Sequence, residues 1–335
     1  MPEKRVTIND IAKLAGTSTA TVSHYINGKY DRMSDQTRAK IARVIEETGY
    51  SPNARAQGLS MGSSKVIAVL IENNTNLWAG QLVRGVEEVA HEKGYQTVVC
   101  DTHFDPAVES SYVEKMLSLG VDGFVIQPTK RYRGVRKRLE HAGIPVVFYD
   151  FNLADLSCTW VKTDLYGGVY DAIATCVDKG YEEFFVIAAD PEKARTRADR
   201  IHGFEDALAE RGLTYQTIPI DEKGPSIPEL RHRFEYGLKT NRRSLIFCIH
   251  PWALAATFKA LSGMRELMPE SVGLLGMSSE EWPDLTNPSI STIVEPVEQE
   301  GRIACTLLLG LLENPDATPS QRMLGCETRW RESTL

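Results

Sequence analysis

The sequence lacks the patterns that mark exported, membrane-spanning and metal-dependent proteins. Its first residues contain no apolar core of the length that a secretory signal needs, and no apolar run approaches the length of a membrane span. The cysteines form no C-x-x-C pair and have no histidines at metal-site spacing: Cys100, Cys158, Cys176, Cys248, Cys305 and Cys326. We therefore expect a cytoplasmic protein with reduced, mostly buried thiols, no metal and no contact with a membrane.

Motifs of the common enzyme classes are missing as well. There is no G-x-G-x-x-G after a predicted strand, no P-loop and no H-E-x-x-H. Residues 58–62 match G-x-S-x-G, but a nucleophile elbow must follow a strand, and here the nearest predicted strand comes afterwards, at Val66. These absences favour a protein that is not an enzyme, has no catalytic residues and needs no cofactor.

The charge of the chain is unevenly distributed. A length of 335 residues with 42% hydrophobic and 25% charged residues indicates a globular protein of two or three domains. The net charge of -7 argues against nucleic-acid binding, because phosphate groups are neutralised by Lys and Arg. Residues 1–62, however, hold nine Lys and Arg against six Asp and Glu, so their balance is +3 and the remainder carries -10. This distribution favours DNA contact by the N-terminal part alone.

Two short helical patterns occupy Thr7–Asn27. The first has one apolar stripe at helical spacing, an N-cap at Thr7 and a terminating Gly16; the stripe is Ile8, Ile11, Ala12 and Ala15. The second runs from Ser18 to Asn27 and buries one face, leaving a small, polar face on the other side: Thr19, Ala20, Ser23, His24 and Asn27. Such a face fits a DNA major groove, although the spacing alone also fits an ordinary helical hairpin.

A third helical pattern follows a polar turn. It starts with a capping position at Ser34 and ends at Gly49. One face is assigned to a small core shared by the three helices: Thr37, Ile41, Val44 and Ile45.

From Lys65 onward, continuous apolar runs alternate with amphipathic helical ones. Strands of this kind separated by helices predict parallel sheets that are covered on both faces, and two such series in tandem predict two similar lobes. Ligands of open α/β sheets lie beyond the carboxyl ends of the strands, so the polar residues that follow each apolar run are the candidate binding residues.

Three runs in the first 59 residues, VTINDIAKLAG, TSTATVSHYING and SDQTRAKIARVIEETGYSPNARAQGL, resemble the DNA-binding segment of the LacI/GalR family of bacterial transcription regulators. The similarity extends to ETRWREST near the last residue and so covers essentially the whole chain. It implies a helix-turn-helix head over 1–48, a hinge helix and linker over 49–64, and a periplasmic-binding-protein-like effector domain over 65–335. Lobe 1 is expected over about 65–162 and 293–322, and lobe 2 over about 163–292 and 323–335.

The resemblance assigns DNA contacts by position. Base readout falls on Thr19, Ala20 and His24, and backbone contact on Ser18, Thr21, Ser23 and Asn27. The hinge positions that reach the minor groove are Asn53, Ala56, Gln57 and Leu59. His24 replaces an arginine that is common in the family, so we expect the operator to differ from the usual half-site.

We select effector-binding candidates by two criteria: a position just after the carboxyl end of a predicted strand, and a match to the family's effector-binding positions. Arg200, in RIHGF, matches the family's effector-binding arginine, and a guanidinium can bind a carboxylate, a phosphate or a diol with two hydrogen bonds. The others are Asn76, Trp78, Thr129, Asp150, Asp164, Trp252 and Ser278. His250-Pro251 and Ser278-Ser279 replace acidic positions of the family, so we expect a pocket poor in acceptors that favours a sugar acid or a sugar phosphate.

The function predicted from the sequence is ligand-gated DNA binding by a repressor. A homodimer, or a tetramer, would bind double-stranded operator DNA, and a sugar, sugar acid or sugar phosphate between the lobes would change operator affinity. The resemblance places such a protein in the bacterial cytoplasm, associated with the nucleoid. A solute-binding protein and an α/β sugar-active enzyme are the alternatives. Salt-dependent retention on operator DNA favours the regulator, and turnover of a sugar favours the enzyme.

Overall fold

The computed structural model describes residues 6–51, 62–150, 157–190, 195–221, 223–238 and 241–334. The hinge candidates Asn53, Ala56, Gln57 and Leu59 lie outside the described residues. The chain divides into two compact units, Met1–Lys65 and Val66–Leu335.

The described residues of the N-terminal unit form three helices and one short 3-10 turn. Helix α1 is Ile8–Ala15, α2 is Thr19–Ile26 and α3 is Asp35–Thr48, and Tyr30–Arg32 forms the turn between α2 and α3. Each helix begins at a hydroxyl cap: Thr7 forms a capping box with Asp10, and Ser18 and Ser34 accept hydrogen bonds from the first turns of α2 and α3.

These helices close a small core. Ile11, Ala12, Ala15, Val22 and Ile41 are buried, and Tyr25, Ile26, Val44 and Ile45 pack against them. The expected three-helix core is thus confirmed with one exception. Thr37 is half-buried and its backbone N–H donates to the Ser34 hydroxyl at 3.2 Å, so it belongs to the helix cap.

The C-terminal unit contains two six-stranded sheets, which define two lobes. The strand order in lobe 1 is β11-β5-β4-β3-β1-β2. Its strands are β1 Val66–Ile71, β2 Gln96–Asp101, β3 Gly123–Ile126, β4 Val146–Tyr149, β5 Trp160–Asp164 and β11 Gln321–Gly325. The order in lobe 2 is β12-β10-β9-β8-β6-β7. Its strands are β6 Glu183–Ala188, β7 Tyr215–Pro219, β8 Ser244–Cys248, β9 Val272–Met277, β10 Ser291–Val294 and β12 Glu327–Arg329.

Helices cover both faces of each sheet. They are α4 Leu77–Glu92, α5 Pro106–Leu119, α6 Tyr132–Ala142, α7 Leu165–Asp178, α8 Arg195–Ala209, α9 Ile227–Gly237, α10 Pro251–Ala260 and α11 Val297–Glu313. In lobe 1, α4 and α11 share one apolar cluster with the sheet and α5 and α6 share another. In lobe 2, α7 and α8 cover one face and α9 and α10 the other. The expected two-sided parallel sheets are confirmed, and within the described ranges one strand pair, β10 with β12, is antiparallel.

The chain passes between the lobes three times: after β5, between β10 and α11, and between β11 and β12. Each crossover lies slightly later along the chain than the approximate boundary expected at 162, 292 or 322. In particular, Ser291–Val294 pairs with β9 in lobe 2, so the return to lobe 1 begins with α11, which follows it. Within the described residues, no helix is long and apolar enough to cross a membrane.

Candidate functional site

The first candidate site is the outward face of α2. Thr19 and Ala20 are exposed, and His24 is half-buried in the last turn. These three predicted base-reading positions therefore lie on one short helix whose buried side, at Val22, faces the small core. The first turn of α2 carries no acidic residue, so nothing in it repels a phosphate backbone.

The predicted backbone contacts of α2 already bond to one another. Ser18 Oγ accepts from the Thr21 backbone N–H at 3.1 Å, and the two hydroxyls lie 2.9 Å apart. One helical turn later, Asn27 Nδ2 donates to Ser23 Oγ at 3.4 Å. These pairs hold the side chains in place, and each hydroxyl can still donate or accept one further hydrogen bond.

A cation-π contact beside α2 was not predicted from the sequence. The Arg38 guanidinium lies 4.0 Å from the centre of the Tyr30 ring, and Tyr30 packs edge-on against Tyr25 of α2 at 5.6 Å. A cation-π contact of this kind holds the charge in a fixed place next to the helix. No spacing rule links a turn residue to a residue on α3, so the sequence carried no signal for it.

The second candidate site lies between the lobes and is centred on Arg200. This arginine on α8 is only 9% exposed. Its Nη2 donates to Glu295 Oε1 at 2.8 Å, and its Nη1 donates to the Ile249 carbonyl oxygen at 3.2 Å. Its buried Nε has no hydrogen-bond partner within the part of the chain that the structure describes.

Glu295 connects Arg200 to the other lobe. It lies in the crossover between β10 and α11 and is 5% exposed. Its second oxygen accepts from Trp78 Nε1 on α4 of lobe 1 at 3.1 Å. Arg200, Glu295 and Trp78 therefore form a continuous polar link across the cleft, which we call the interlobe bridge. Arg200 and Trp78 were predicted from the sequence as site residues, and Glu295 was not.

Trp78 is held by two further contacts. Its ring stacks on Tyr149 with centroids 6.1 Å apart and planes 23° apart. Its backbone N–H donates to Asn76 Oδ1 at 3.1 Å, so the predicted ligand residue Asn76 acts as the N-cap of α4. The cap and the stacking together fix the indole at the edge of the cleft.

Buried carboxyl groups surround the lobe 1 side of the cleft. Asp150 accepts from Gln127 Nε2 at 2.8 Å, and its backbone N–H donates to Glu300 Oε1 at 3.0 Å. The other oxygen of Glu300 accepts from the Thr163 hydroxyl at 2.9 Å. Asp150 also has a left-handed backbone with φ 46°, a conformation that is uncommon except at turns and functional sites.

Burial changes the protonation of these groups. Together with the neighbouring Glu295 charge, and against the opposing charge of Arg200, burial raises the pKa of Asp150 to about 7. Burial also raises the pKa of Glu300, with Asp150 as the next cause, and raises the pKa of Glu72 at the end of β1. Charged carboxylates are disfavoured in a desolvated cleft, so these groups hold a proton at higher pH than an exposed carboxyl group does.

Three predicted ligand residues have structural hydrogen bonds. The backbone N–H and hydroxyl of Thr129 both donate to buried Glu109, at 2.7 and 3.1 Å. Asp164 accepts from the Gly167 backbone N–H at 2.9 Å as the N-cap of α7, and Ser278 Oγ accepts from the Glu280 backbone N–H at 3.2 Å. Their positions at strand ends are as expected, but these contacts give each a role in its own lobe.

His250 and Trp252 form a stacked pair at the end of β8. Their ring centres are 4.7 Å apart, and Trp252 is 42% exposed. His250 Nε2 accepts from the Ala189 backbone N–H at 2.9 Å. Burial, followed by the charges of Arg200 and Arg197, lowers the pKa of His250 to about 3. The imidazole is therefore neutral, and its acceptor is already occupied.

The expectation of a cleft poor in acceptors is wrong. Glu295 and Glu300 supply buried carboxyl groups, and Glu72 supplies a half-buried one, from positions that were not considered. Glu72 and Glu295 directly follow β1 and β10, so inspection of strand ends could have found them, whereas Glu300 lies on α11 and has no such signal. Within the described ranges, no cluster of His, Cys, Asp or Glu has the geometry of a metal site, and all six cysteines are free thiols.

Comparison with known proteins gives consistent results for both units. Residues 7–53 match the model of bacterial regulatory proteins of the lacI family, and residues 173–334 match a periplasmic binding protein-like domain. The HTH-type transcriptional regulator KdgR of Bacillus subtilis is 29% identical over 98% of this chain and 97% of its own length. PtxS of Pseudomonas aeruginosa is 28% identical over 95% and 92%, and the ribose operon repressor of Escherichia coli is 28% identical over 92% and 94%.

A solved structure shows the same fold over nearly the whole chain. The lac repressor dimer bound to operator and the anti-inducer ONPF matches 99% of this chain and 100% of its own, with a TM-score of 0.83 and 19% identity. At this identity the match supports the fold alone.

Proposed function

We propose a function from one premise: the chain belongs to the LacI family of bacterial regulatory proteins. It is a sequence-specific DNA-binding transcription regulator, a repressor, whose operator affinity is controlled by a small metabolite bound between the two lobes. The observation that carries the proposal is the interlobe bridge, which places a buried arginine with a free Nε–H in the cleft of a chain that begins with a helix-turn-helix.

The head binds DNA through α2. Thr19, Ala20 and His24 read base edges, because they share the outward face of a helix that fits a major groove. The hydroxyl and amide groups of Ser18, Thr21, Ser23 and Asn27 contact phosphates. Asn53, Ala56, Gln57 and Leu59 are proposed to enter the minor groove.

The cleft binds the effector, which we propose to be a sugar, a sugar acid or a sugar phosphate. Arg200, Asp150 and Trp78 offer a guanidinium, a carboxyl group and an aromatic face in one place, which suits a hydroxyl-rich ligand. Trp252 adds a second exposed ring. Asn76, Thr129, Asp164 and Ser278 hold the surrounding loops and complete the site.

Effector and operator are coupled because both act on one chain. An effector that changes operator affinity by some factor has its own affinity changed by the same factor. We propose that two copies bind a pseudo-palindromic operator, since two identical heads read two half-sites. The regulator has no catalytic role and works in the bacterial cytoplasm, where the chromosome is.

The test uses the full chain and a random pool of double-stranded DNA. Rounds of selection should enrich a pseudo-palindrome, and its affinity should fall steeply as salt concentration rises. A thermal-shift screen of sugars and sugar acids, repeated with the selected DNA present, should give at least one compound whose shift depends on the DNA. Failure to enrich any sequence, or turnover of a sugar by the purified protein, would overturn the proposal.

A further inference from the structure

The cleft contains a buried pair of opposite charges, and their mutual neutralisation limits which charge an effector can carry. The Arg200 side chain is 11% exposed and the Glu295 side chain 5%, and their charged atoms are 2.8 Å apart. A guanidinium this well buried must have a counter-charge, and Glu295 supplies it from inside the protein. The most buried cation of the cleft is therefore already neutralised before an effector arrives.

The remaining groups on this side of the cleft are also acidic. Asp150 senses the charge of Glu295, and Glu300 senses that of both. Two further cations already have partners: Lys162 Nζ is 4.0 Å from Asp199, and Arg197 Nη1 donates to the Asp190 carbonyl oxygen at 3.1 Å. The charge of Arg197 still acts on Glu72 and His250.

An anionic effector would meet an unfavourable balance here. It would either share Arg200 with Glu295, placing two carboxylates on one guanidinium, or displace Glu295 and leave its carboxylate buried without a partner. Removing one partner of a buried pair is strongly destabilising, because the other charge stays desolvated. An uncharged polyol avoids both costs, since its hydroxyls donate to carboxylate oxygens without adding a second negative charge to the Arg200–Glu295 pair.

We propose that Glu295 determines the effector specificity of the cleft: by neutralising Arg200, it makes the cleft bind an uncharged polyhydroxy compound in preference to the corresponding acid. This inference rests on the proposed function, which it narrows to one ligand class. Trp78 has a positioning role, because its Nε1–H holds the second oxygen of Glu295 and so aims the carboxylate at Arg200.

The experiment compares matched neutral and acidic ligands on the full-length protein by isothermal titration calorimetry. The probes are glucose with gluconate, galactose with galactonate, ribose with ribonate and xylose with xylonate. The wild type should bind the neutral member of at least one pair at least about tenfold more tightly than its acid. The key variant is Glu295→Gln, which keeps the shape and an oxygen acceptor but removes the charge. It should shift the preference toward the acid by at least about tenfold.

Two variants separate charge from other effects. Glu281→Gln removes the same charge at an exposed position of lobe 2 and should leave the preference unchanged. Trp78→Phe removes the hydrogen bond to Glu295 but not the charge, so it should weaken binding of both members and keep the neutral preference. If Glu295→Gln does not fold, as judged by circular dichroism, Trp78→Phe and the wild-type preference still decide the outcome.

Binding to the selected operator DNA is measured on the same samples. If the wild type binds the operator but prefers the acid of a pair, the role of Glu295 is overturned and the proposed function still holds. The same holds if Glu295→Gln binds the operator and keeps the wild-type preference. If neither member of any pair binds while operator binding persists, the polyhydroxy class is overturned, and absence of operator binding overturns the proposed function itself.

Discussion

Helices α4 and α11 of lobe 1 approach each other at two glycines, and this contact allows a quantitative prediction. A Cβ atom on Gly301 would lie 2.2 Å from the Leu82 carbonyl oxygen and 3.1 Å from the Val86 nitrogen. A Cβ atom on Gly85 would lie 2.0 Å from the Glu298 carbonyl oxygen. Both obstacles are backbone atoms of the opposite helix, so a side-chain rotation cannot relieve them.

The perturbation is Gly301→Ala, and its magnitude follows from these distances. Contacts of real Cβ atoms rarely fall below 3.4 Å, so the two helices must move apart by about 1 Å at this point. Overpacking of a close-packed interface costs about 1–3 kcal/mol. The better helix propensity of alanine offsets up to about 1 kcal/mol of that. We expect a net loss of about 1–2 kcal/mol in the free energy of unfolding.

The control is Gly310→Ala in the same helix. A Cβ atom there would meet no atom within 4 Å, and the position is exposed. Only the propensity effect remains, so this variant should gain about 0.5–1 kcal/mol. Urea unfolding followed by circular dichroism measures both variants against the wild type. A Gly301→Ala protein that is as stable as Gly310→Ala would refute the close helix contact and the reasoning built on it.

Three further predictions concern protonation and DNA readout. Because burial, followed by the Glu295 charge, raises the pKa of Asp150 to about 7, the folded protein keeps a proton that the unfolded chain releases near pH 4. Asparagine tolerates the left-handed backbone at position 150. In urea titrations, the stability of Asp150→Asn relative to the wild type should rise by up to about 1.4 kcal/mol per pH unit between pH 4 and 7. A stability difference that stays constant over this range would contradict the prediction. The pKa of His250 is lowered to about 3, so below its ordinary value of 6.5 the unfolded chain takes up a proton that the folded protein does not. The wild type therefore loses stability as pH falls from 6.5 toward 3, and His250→Asn should lose less. Parallel stability curves in the same titrations would refute this. His24→Ala should change the preferred base at one position of each half-site in a selection experiment, whereas equal weakening on all sequences would exclude base readout by this residue.

The head could be predicted almost completely from its sequence, because its determinants are local. The caps Thr7, Ser18 and Ser34 and the terminating glycines Gly16 and Gly49 all act within a few residues of their own position. A cap and an apolar stripe at helical spacing are both visible in a window of a dozen residues.

The sheets were predictable as a class but not strand by strand. Strand β1, VIAVLI, is almost wholly buried, and such runs stand out in a sequence. Strands β5, β11 and β12 have weaker signals, because they are short and two of them are partly exposed at their positions in the sheets. The boundary expected at about 292 divides Ser291–Val294, whereas pairing with β9 puts the whole strand in lobe 2. Local sequence does not determine which strand it pairs with.

The cleft shows the same limit at the level of single residues. Arg200, Trp78 and Asp150 could be named because strand ends and a motif mark them. Glu295 also follows a strand, β10, but its role between Arg200 and Trp78 had no sequence signal, since Trp78 is 217 residues away in the chain. The charge balance of the site therefore became visible only with the fold, and it reversed the inference of a cleft without acceptors.

The interlobe bridge is better suited to switching than to stability. A buried ion pair contributes little net stability compared with apolar residues, yet breaking it costs about 3–5 kcal/mol because a charge is left unpaired. The link between Arg200 on lobe 2 and Trp78 on lobe 1 through Glu295 therefore favours lobe arrangements that keep all three in contact. An effector can shift such an equilibrium only by the difference between its affinities for the two arrangements. A ligand that hydrogen-bonds to Arg200 or Glu295 acts directly on the pair that links the lobes, so its binding energy changes the free energy of that link.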